Sequence, residues 1–214
     1  QRGETPNPCI DCNRYIKFAK LMDRGEEIGY PYVATGHYAR VEFDETSGRW
    51  LLKKGLDQQK DQSYMLYSLT QWELSRLLLP LGGLTKEETR RLAEEQGFVN
   101  ARKRDSQDIC FVPDGDYAAF IRRWTGRDFP PGDFVGTGGE IYGRHKGIIH
   151  YTVGQRKGLG LSFPQPMFVK ELDVENNQVV LSKAEELFSQ EVTARDINLI
   201  SVGSIPQPME VKAR

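Results

Sequence analysis

Cysteine and histidine are scarce in this chain, at three of each in 214 residues. So few thiols, and an odd number of them, exclude a disulfide-built scaffold. They point to a reducing compartment, where cysteines serve catalysis or bind metal. Long apolar runs are missing as well. No stretch approaches 18 uncharged apolar residues and no signal peptide is recognisable, so the expectation is a cytoplasmic protein that does not enter a membrane. Net charge is almost absent, at -1. That removes any global attraction to nucleic acid, and affinity for a polyanion must come from local basic patches. Internal repeats and low-complexity tracts are lacking, and the length allows one large domain or two small ones.

What is present concentrates sulfur. Asn7-Pro8-Cys9-Ile10-Asp11-Cys12-Asn13 sets two thiols three residues apart, directly before an apolar-periodic segment. Asn13 reads as the N-cap of a helix to Gly29, with Tyr15, Phe18, Ala19 and Met22 as its apolar face. A thiol beside a helix N-terminus feels the positive end of the macrodipole, which favours thiolate. The third cysteine lies far along the chain, in Asp105-Ser106-Gln107-Asp108-Ile109-Cys110-Phe111. The fold is expected to bring the sulfurs together.

Residue types alone leave several chemistries open. Structural zinc wants four closed ligands and a second short-spaced pair. No such pair exists, and His37, His145 and His150 are scattered. A thioredoxin-like C-x-x-C needs a strand before it, which is not visible. A pair of inert buried cysteines fits poorly with a proline-flanked polar loop. Three thiolates could also hold an iron–sulfur cluster with one open position.

Around these residues the grammar is α/β. Tyr32 to Tyr38 is a short apolar run ending in a Gly36 loop, the kind of strand end where ligands sit. Val41 to Leu56 predicts a hairpin. Gln71 to Leu79 predicts a helix stopped by Pro80. Thr85-Lys86-Glu87-Glu88 is a capping box opening a helix to about Gln96. Arg90 and Arg91 read as a solvated helix face, while Arg102, Lys103 and Arg104 approach Cys110 in sequence. After Val112 glycines, prolines and short β-like runs take over, setting a boundary near 113–116. Tyr117 to Trp124 predicts a helix and Leu172 to Leu181 a hairpin. From Phe188 a further set of strand-like runs begins, ending in the alternating 209–214. The chain begins without methionine and reads as a piece of a longer one.

Two glycine-flanked basic stretches stand out in the β-like region: Gly143-Arg144-His145-Lys146-Gly147 and Gly154-Gln155-Arg156-Lys157-Gly158. Either alone is an ordinary turn. Together they set Arg144, Lys146, Arg156 and Lys157 near His145, His150 and Tyr151. Phosphates are bound by Arg and Lys, and unstacked RNA bases by aromatic and histidine faces. The reading is an RNA-facing module.

Taken together, these stretches resemble the tRNA-specific 2-thiouridylases (tRNA-uridine 2-sulfurtransferases), bacterial enzymes that thiolate the wobble uridine of certain tRNAs. The residues that carry the resemblance are 3–13, Ala34-Thr35-Gly36-His37-Tyr38, Lys60-Asp61-Gln62-Ser63-Tyr64, 105–111 and Gly154-Gln155-Arg156-Lys157-Gly158. They span essentially the whole chain, in the family's order.

The resemblance implies an α/β fold: the C-terminal part of an adenine-nucleotide alpha hydrolase-like (PP-loop ATPase, Rossmann-like) domain over 1–113, a small β-rich tRNA-binding domain over 114–186, and the start of a β-barrel over 187–214. It implies Cys12 as the nucleophile and Cys110 as the persulfide carrier. Gly36 would lie next to ATP, used with Mg2+. Asn7, Pro8 and Cys9 would lie beside the target base, and Lys60, Asp61 and Gln62 would contact tRNA. The implied partners are tRNA of the Lys, Glu and Gln type and a persulfide donor protein, with the enzyme a monomer. Two departures matter. Some members carry Asp at the position of Cys9, so a [4Fe-4S] cluster on Cys9, Cys12 and Cys110 stands as an alternative, as does a non-catalytic RNA-binding fragment. No Ser-Gly-Gly-type pyrophosphate loop is present.

Overall fold

A computed structural model describes residues 7–103 and 109–212. They form two compact units. One is built from residues 7–103 with 194–212, the other from 109–193.

The first unit is led by a long helical run whose cap is Asn7. Its side chain accepts the Cys9 N–H at 3.2 Å, and Pro8 occupies the first turn, where its missing N–H costs nothing. Helix α1 (Pro8–Asp11) continues as a π-helical stretch (Cys12–Lys20) and then as α2 (Leu21–Glu27). The expected cap at Asn13 is therefore displaced by six residues. The Asn-Pro pair carried the signal, and Asn13 lies inside the helix, buried.

The π-helical stretch also changes the buried face. Its bonds run to the fifth residue, which widens the turn. Asn13 and Phe18, five apart, point inward and Met22 continues the stripe, while Tyr15 is 56% exposed instead of buried. Phe18 and Met22 pack into one core with Val33, Ala39, Leu66, Leu69, Leu74 and Leu77.

Strand β1 (Val33–Ala34) runs parallel to β4 (Leu77–Leu78), the parallel pairing of α/β architecture. Between them β2 (Ala39–Asp44) and β3 (Arg49–Lys54) form the expected hairpin, in register from Ala39–Lys54 to Asp44–Arg49. The predicted helix over 71–79 is shorter. Helix α3 (Gln71–Leu74), capped by a Thr70/Glu73 box, gives way to β4, because Leu77 and Leu78 find a strand edge to pair with. Helix α4 (Lys86–Glu95) has the expected Thr85/Glu88 box, and Gly97 leaves it at φ +72°. Gly82 is pinned between strands: a Cβ there would lie 1.8 Å from the Ala39 carbonyl oxygen.

Residues 198–200 are stitched to this unit. Arg49 donates to the carbonyls of Leu199 and Ile200, and Asn198 donates to those of Tyr67 and Leu69. No strand forms among the described residues after 187. The alternation at 209–212 stays irregular because alternation alone supplies no ladder partner.

The second unit starts with helix α5 (Tyr117–Thr125), capped by Asp116 and ended by Gly126 in the left-handed region. Its sheet has the order β6-β5-β8-β7, with β5 (Gly132–Gly136), β6 (Ile141–His145), β7 (Phe168–Asp173) and β8 (Gln178–Ser182). The β7–β8 hairpin turns at Asn176–Asn177 as expected, with Asn177 at φ +52°. Phe134, Tyr151, Leu159, Met167, Val169, Val179 and Leu181 form its core.

Candidate active site

The two thiols of the first unit lie on one helical turn. Cys9 sits in the first turn, nearest the positive end of the helix, and Cys12 follows one turn on. Both are half-buried and free. The helix start is docked by two asparagines: Asn13 Nδ2 donates to the Met65 carbonyl at 3.3 Å, and Asn7 Nδ2 approaches the Met65 sulfur at 4.0 Å. Asn13 Oδ1 is buried with no partner among the described residues. The sequence flagged Asn13 only as a helix cap; its buried docking role and its partner Met65 were not signalled, because a π-helical phase has no composition signature.

From Met65 a hydrogen-bonded frame leads to the Gly36 loop. Met65 N–H donates to the Gln62 carbonyl. Gln62 then clamps Tyr38 on both sides: its N–H donates to the Tyr38 carbonyl at 2.9 Å, and its Oε1 accepts the Tyr38 N–H at 3.0 Å. Asp61 braces the same turn, accepting from the Gly55 and Ser63 amides and from the Ser63 hydroxyl. Of the three residues expected to face tRNA, two are thus engaged in holding the loop, and the Lys60 N–H closes onto the Asp57 carbonyl.

The loop itself follows β1. Thr35 Oγ1 and His37 Nδ1 are 2.9 Å apart, and the His37 ring lies 5.8 Å from Phe18. Burial first, and the nearby Lys17 charge second, hold His37 below its ordinary pKa, so it is neutral near pH 7. Gly36 is exposed at the C-terminal end of a parallel strand. A Cβ there would meet only Leu81, at an ordinary 3.4 Å. The chain's own packing therefore does not require glycine, which leaves open backbone for a ligand to approach.

Cys110 belongs to the second unit and is exposed; its neighbour Phe111 packs its ring 5.3 Å from Phe120. The rest of its motif, 105–108, lies outside the described residues, as does Arg104. Arg102 is paired with Glu94 at 2.7 Å, and Arg90 is exposed as expected. Among the described residues no three of His, Cys, Asp and Glu gather where they could hold a metal ion.

The basic stretches of the second unit differ from each other. Gly143 to Gly147 is largely strand β6, and His145 points into the core at 1% exposure. Its Nδ1 accepts the Gly147 N–H, so Nε2 carries the proton and donates to the Asn177 carbonyl. His145 is a core histidine, held below its ordinary pKa mainly by burial. Arg144 is exposed, 3.8 Å from Asp133. The second stretch is a true loop. Gln155 braces it, accepting from Thr152 N–H and donating to the Lys157 carbonyl. Leu159 anchors it in the core, and Arg156 and Lys157 project outward without an ion pair among the described residues. A cavity of about 260 Å³ beside Tyr142, Phe163 and Met167 contains none of these basic residues.

Family comparison matches both units. Residues 1–114 fit the tRNA methyl transferase HUP domain, and 118–183 fit the tRNA methyl transferase PRC-barrel domain. The chain belongs to this family, which includes the tRNA-specific 2-thiouridylases. It is 51% identical over 213 residues to tRNA-specific 2-thiouridylase MnmA of Acetivibrio thermocellus, covering 100% of this chain and 59% of that protein. It is 52% identical over 213 residues to tRNA-specific 2-thiouridylase MnmA 1 of Caldanaerobacter subterraneus, covering 100% and 58%. It is 49% identical over 212 residues to tRNA-specific 2-thiouridylase MnmA of Clostridioides difficile, covering 99% and 59%. The chain thus spans a little under three fifths of the length of these relatives. A HUP domain is a nucleotide-binding α/β fold, in keeping with the parallel β1–β4 pair. No helix among the described residues is long and apolar enough to cross a membrane.

Proposed function

We propose that this chain is the sulfur-handling and tRNA-facing part of an enzyme that 2-thiolates the wobble uridine of tRNA at the expense of ATP. The observation that carries the reading is the hydrogen-bonded frame joining the Cys9–Cys12 helix, through Asn13, Met65 and Gln62, to the open Gly36 loop. It links the half-buried thiols of Cys9 and Cys12 to the exposed Gly36 backbone within one unit, which supports a sulfur site beside a nucleotide site.

The chemistry explains the residue types. A uracil C2 carbonyl is a poor electrophile, and ATP, with Mg2+, supplies the adenylyl group that makes its oxygen a leaving group. Gly36 would let the nucleotide approach the backbone. Cys110 carries the sulfur as a persulfide delivered by a donor protein. The Cys12 thiolate attacks Cys110 Sγ and the persulfide S–S bond breaks. Hydrosulfide departs with the electron pair and adds to C2, AMP leaves, and a Cys12–Cys110 disulfide remains. Arg156 and Lys157, with Arg144 and Lys146, bind tRNA phosphates. Asn7, Pro8 and Cys9 line the approach of the base, while Asp61 and Gln62 set the shape of the turn on which Lys60 meets the RNA. The substrates are tRNAs of the Lys, Glu and Gln type, and the setting is cytoplasmic.

The test is nucleoside analysis of tRNA after incubation with the complete enzyme, ATP and a persulfide donor. Cys12→Ser and Cys110→Ser should abolish 2-thiouridine and leave tRNA affinity nearly intact, because a thiol adds little to an interface dominated by backbone charge. Thiolation surviving either change would refute the assignment, and activity that is lost on iron chelation would replace it with a cluster on Cys9, Cys12 and Cys110.

A further inference from the structure

The reaction above uses Cys12 and Cys110 and leaves the thiol of Cys9 without a chemical task. Its placement gives it one. The Cys12 N–H donates to the Cys9 carbonyl as well as to that of Pro8, so a backbone bond joins the two cysteines directly and tightens the turn between them. Side chains three apart on a helix hold their Cβ atoms about 5–6 Å apart. A disulfide needs Cβ atoms about 3.5–4.5 Å apart and Cα atoms within about 4.4–6.8 Å. Closure therefore asks for about 1–2 Å of movement between the Cβ atoms, along the direction in which the Cys12–Cys9 bond already draws the turn. This first turn is held at its start by the Asn7 cap, and none of its residues is sealed in the core. Both sulfurs are half-buried and unbonded.

We propose that Cys9 is the resolving thiol that clears Cys12 after each sulfur transfer, a step that rests on the reading of Cys12 as the residue left in disulfide with Cys110. The Cys9 thiolate attacks Cys12 Sγ. A Cys9–Cys12 bond forms and the Cys12–Cys110 bond breaks. The electron pair leaves on Cys110 Sγ, which takes up the proton Cys9 gave up. One disulfide is consumed and one is made, so no oxidant enters. Cys110 is freed to accept the next persulfide, and a thiol reductant then opens the Cys9–Cys12 pair. Two features favour this route. The attacking sulfur is carried one turn away on the same helix and need not be captured from solution. A disulfide closed across a single helical turn is strained, which makes it easily reduced.

Residues 3–14 form one tryptic peptide that contains both cysteines. The Cys110→Ser protein, exposed to oxidised glutathione, acid-quenched, alkylated and digested, reads the exchange alone. The expected product is that peptide lighter by two hydrogens and unalkylated, as the glutathione first joined to Cys12 is expelled by Cys9. A lasting glutathione adduct on Cys12 with Cys9 alkylated would overturn the proposal. In the complete enzyme with limiting reductant, Cys9→Ser should lower the rate of later turnovers relative to the first by about tenfold or more, given the lost intramolecular advantage. Cys12–Cys110 disulfide should accumulate, and added dithiothreitol should restore the ratio. An unchanged ratio would also overturn it. An enzyme that forms the Cys9–Cys12 disulfide yet thiolates no uridine would instead sink the functional reading, since the peptide mass is read independently of activity.

Discussion

Replacing Gln62 with Ala removes one acceptor whose loss can be sized from the structure. Gln62 Oε1 takes the Tyr38 N–H at 3.0 Å, and Tyr38 is buried at 6% exposure. The alanine variant leaves that amide buried without a partner. An orphaned buried donor costs about 1–3 kcal/mol, more than the net worth of the bond itself. The backbone bond from Gln62 N–H to the Tyr38 carbonyl survives, so the loop is loosened and not released. With a urea slope of about 1–3 kcal/mol/M, the unfolding midpoint of this unit should fall by about 1 M. Gln62→Glu keeps an acceptor oxygen in place and should recover most of the loss. Hydrogen exchange then locates the effect. The Tyr38 amide should lose protection in Gln62→Ala, whereas the amides of Leu51 and Lys53, which face β2 in the hairpin, should keep theirs at sub-global openings. Unchanged Tyr38 protection in the alanine variant would refute the view that this side chain braces the Gly36 loop.

Other expectations follow from single contacts. His145, buried and held below the ordinary histidine value of 6.5 mainly by desolvation, resists protonation in the fold. The unfolded chain binds that proton first, so stability is full above pH 6.5 and falls as pH drops from there to the depressed folded value. A pH series of thermal melts should show this slope, and His145→Gln should flatten it. Gly82→Ala drives a Cβ into the Ala39 carbonyl and should destabilise the first unit by about 1–3 kcal/mol. Gly36→Ala meets only Leu81 at 3.4 Å, so it should melt like the parent while weakening ATP binding; equal destabilisation by the two in calorimetry would contradict the packing argument. Removing Arg156 or Lys157 should weaken binding of different tRNAs alike and reduce the salt slope by about one per phosphate contact. An unchanged slope in both would remove this loop from the RNA interface.

Much of this architecture was legible because short motifs carried it. The Thr85/Glu88 box, the 41–56 hairpin and the Asn176–Asn177 turn each encode their geometry in a few adjacent side chains. The helix start was legible too, but in Asn7-Pro8, since a proline at the first helical position needs its cap one residue earlier. What stayed hidden depends on neighbours distant in sequence. The phase of the π-helical stretch, which buries Asn13 and exposes Tyr15, is fixed by docking on Met65 and not by local periodicity. Leu77 and Leu78 pair with β1 only because the fold delivers that edge. His145 looked like an RNA-facing side chain by its charged neighbours, whereas its ring packs against Phe134 and Tyr151 and bonds the Asn177 carbonyl more than thirty residues away. The cysteine and glycine motifs of the candidate site were visible in the sequence, whereas the Gln62 clamp joining them was visible only in three dimensions.

The central claim is that sulfur reaches uridine through Cys110 and Cys12, and one measurement follows the atom itself. Complete enzyme loaded with radiolabelled persulfide sulfur on Cys110 is mixed with excess tRNA and ATP, with no further donor, and sampled through a single turnover. The account predicts that label leaves the protein and enters 2-thiouridine one for one, only when ATP is present, while a Cys12–Cys110 disulfide forms at the same rate and Cys12→Ser retains the label on protein. Label appearing in tRNA from the Cys12→Ser enzyme at the parent rate, or 2-thiouridine formed with the label still on Cys110, would contradict it.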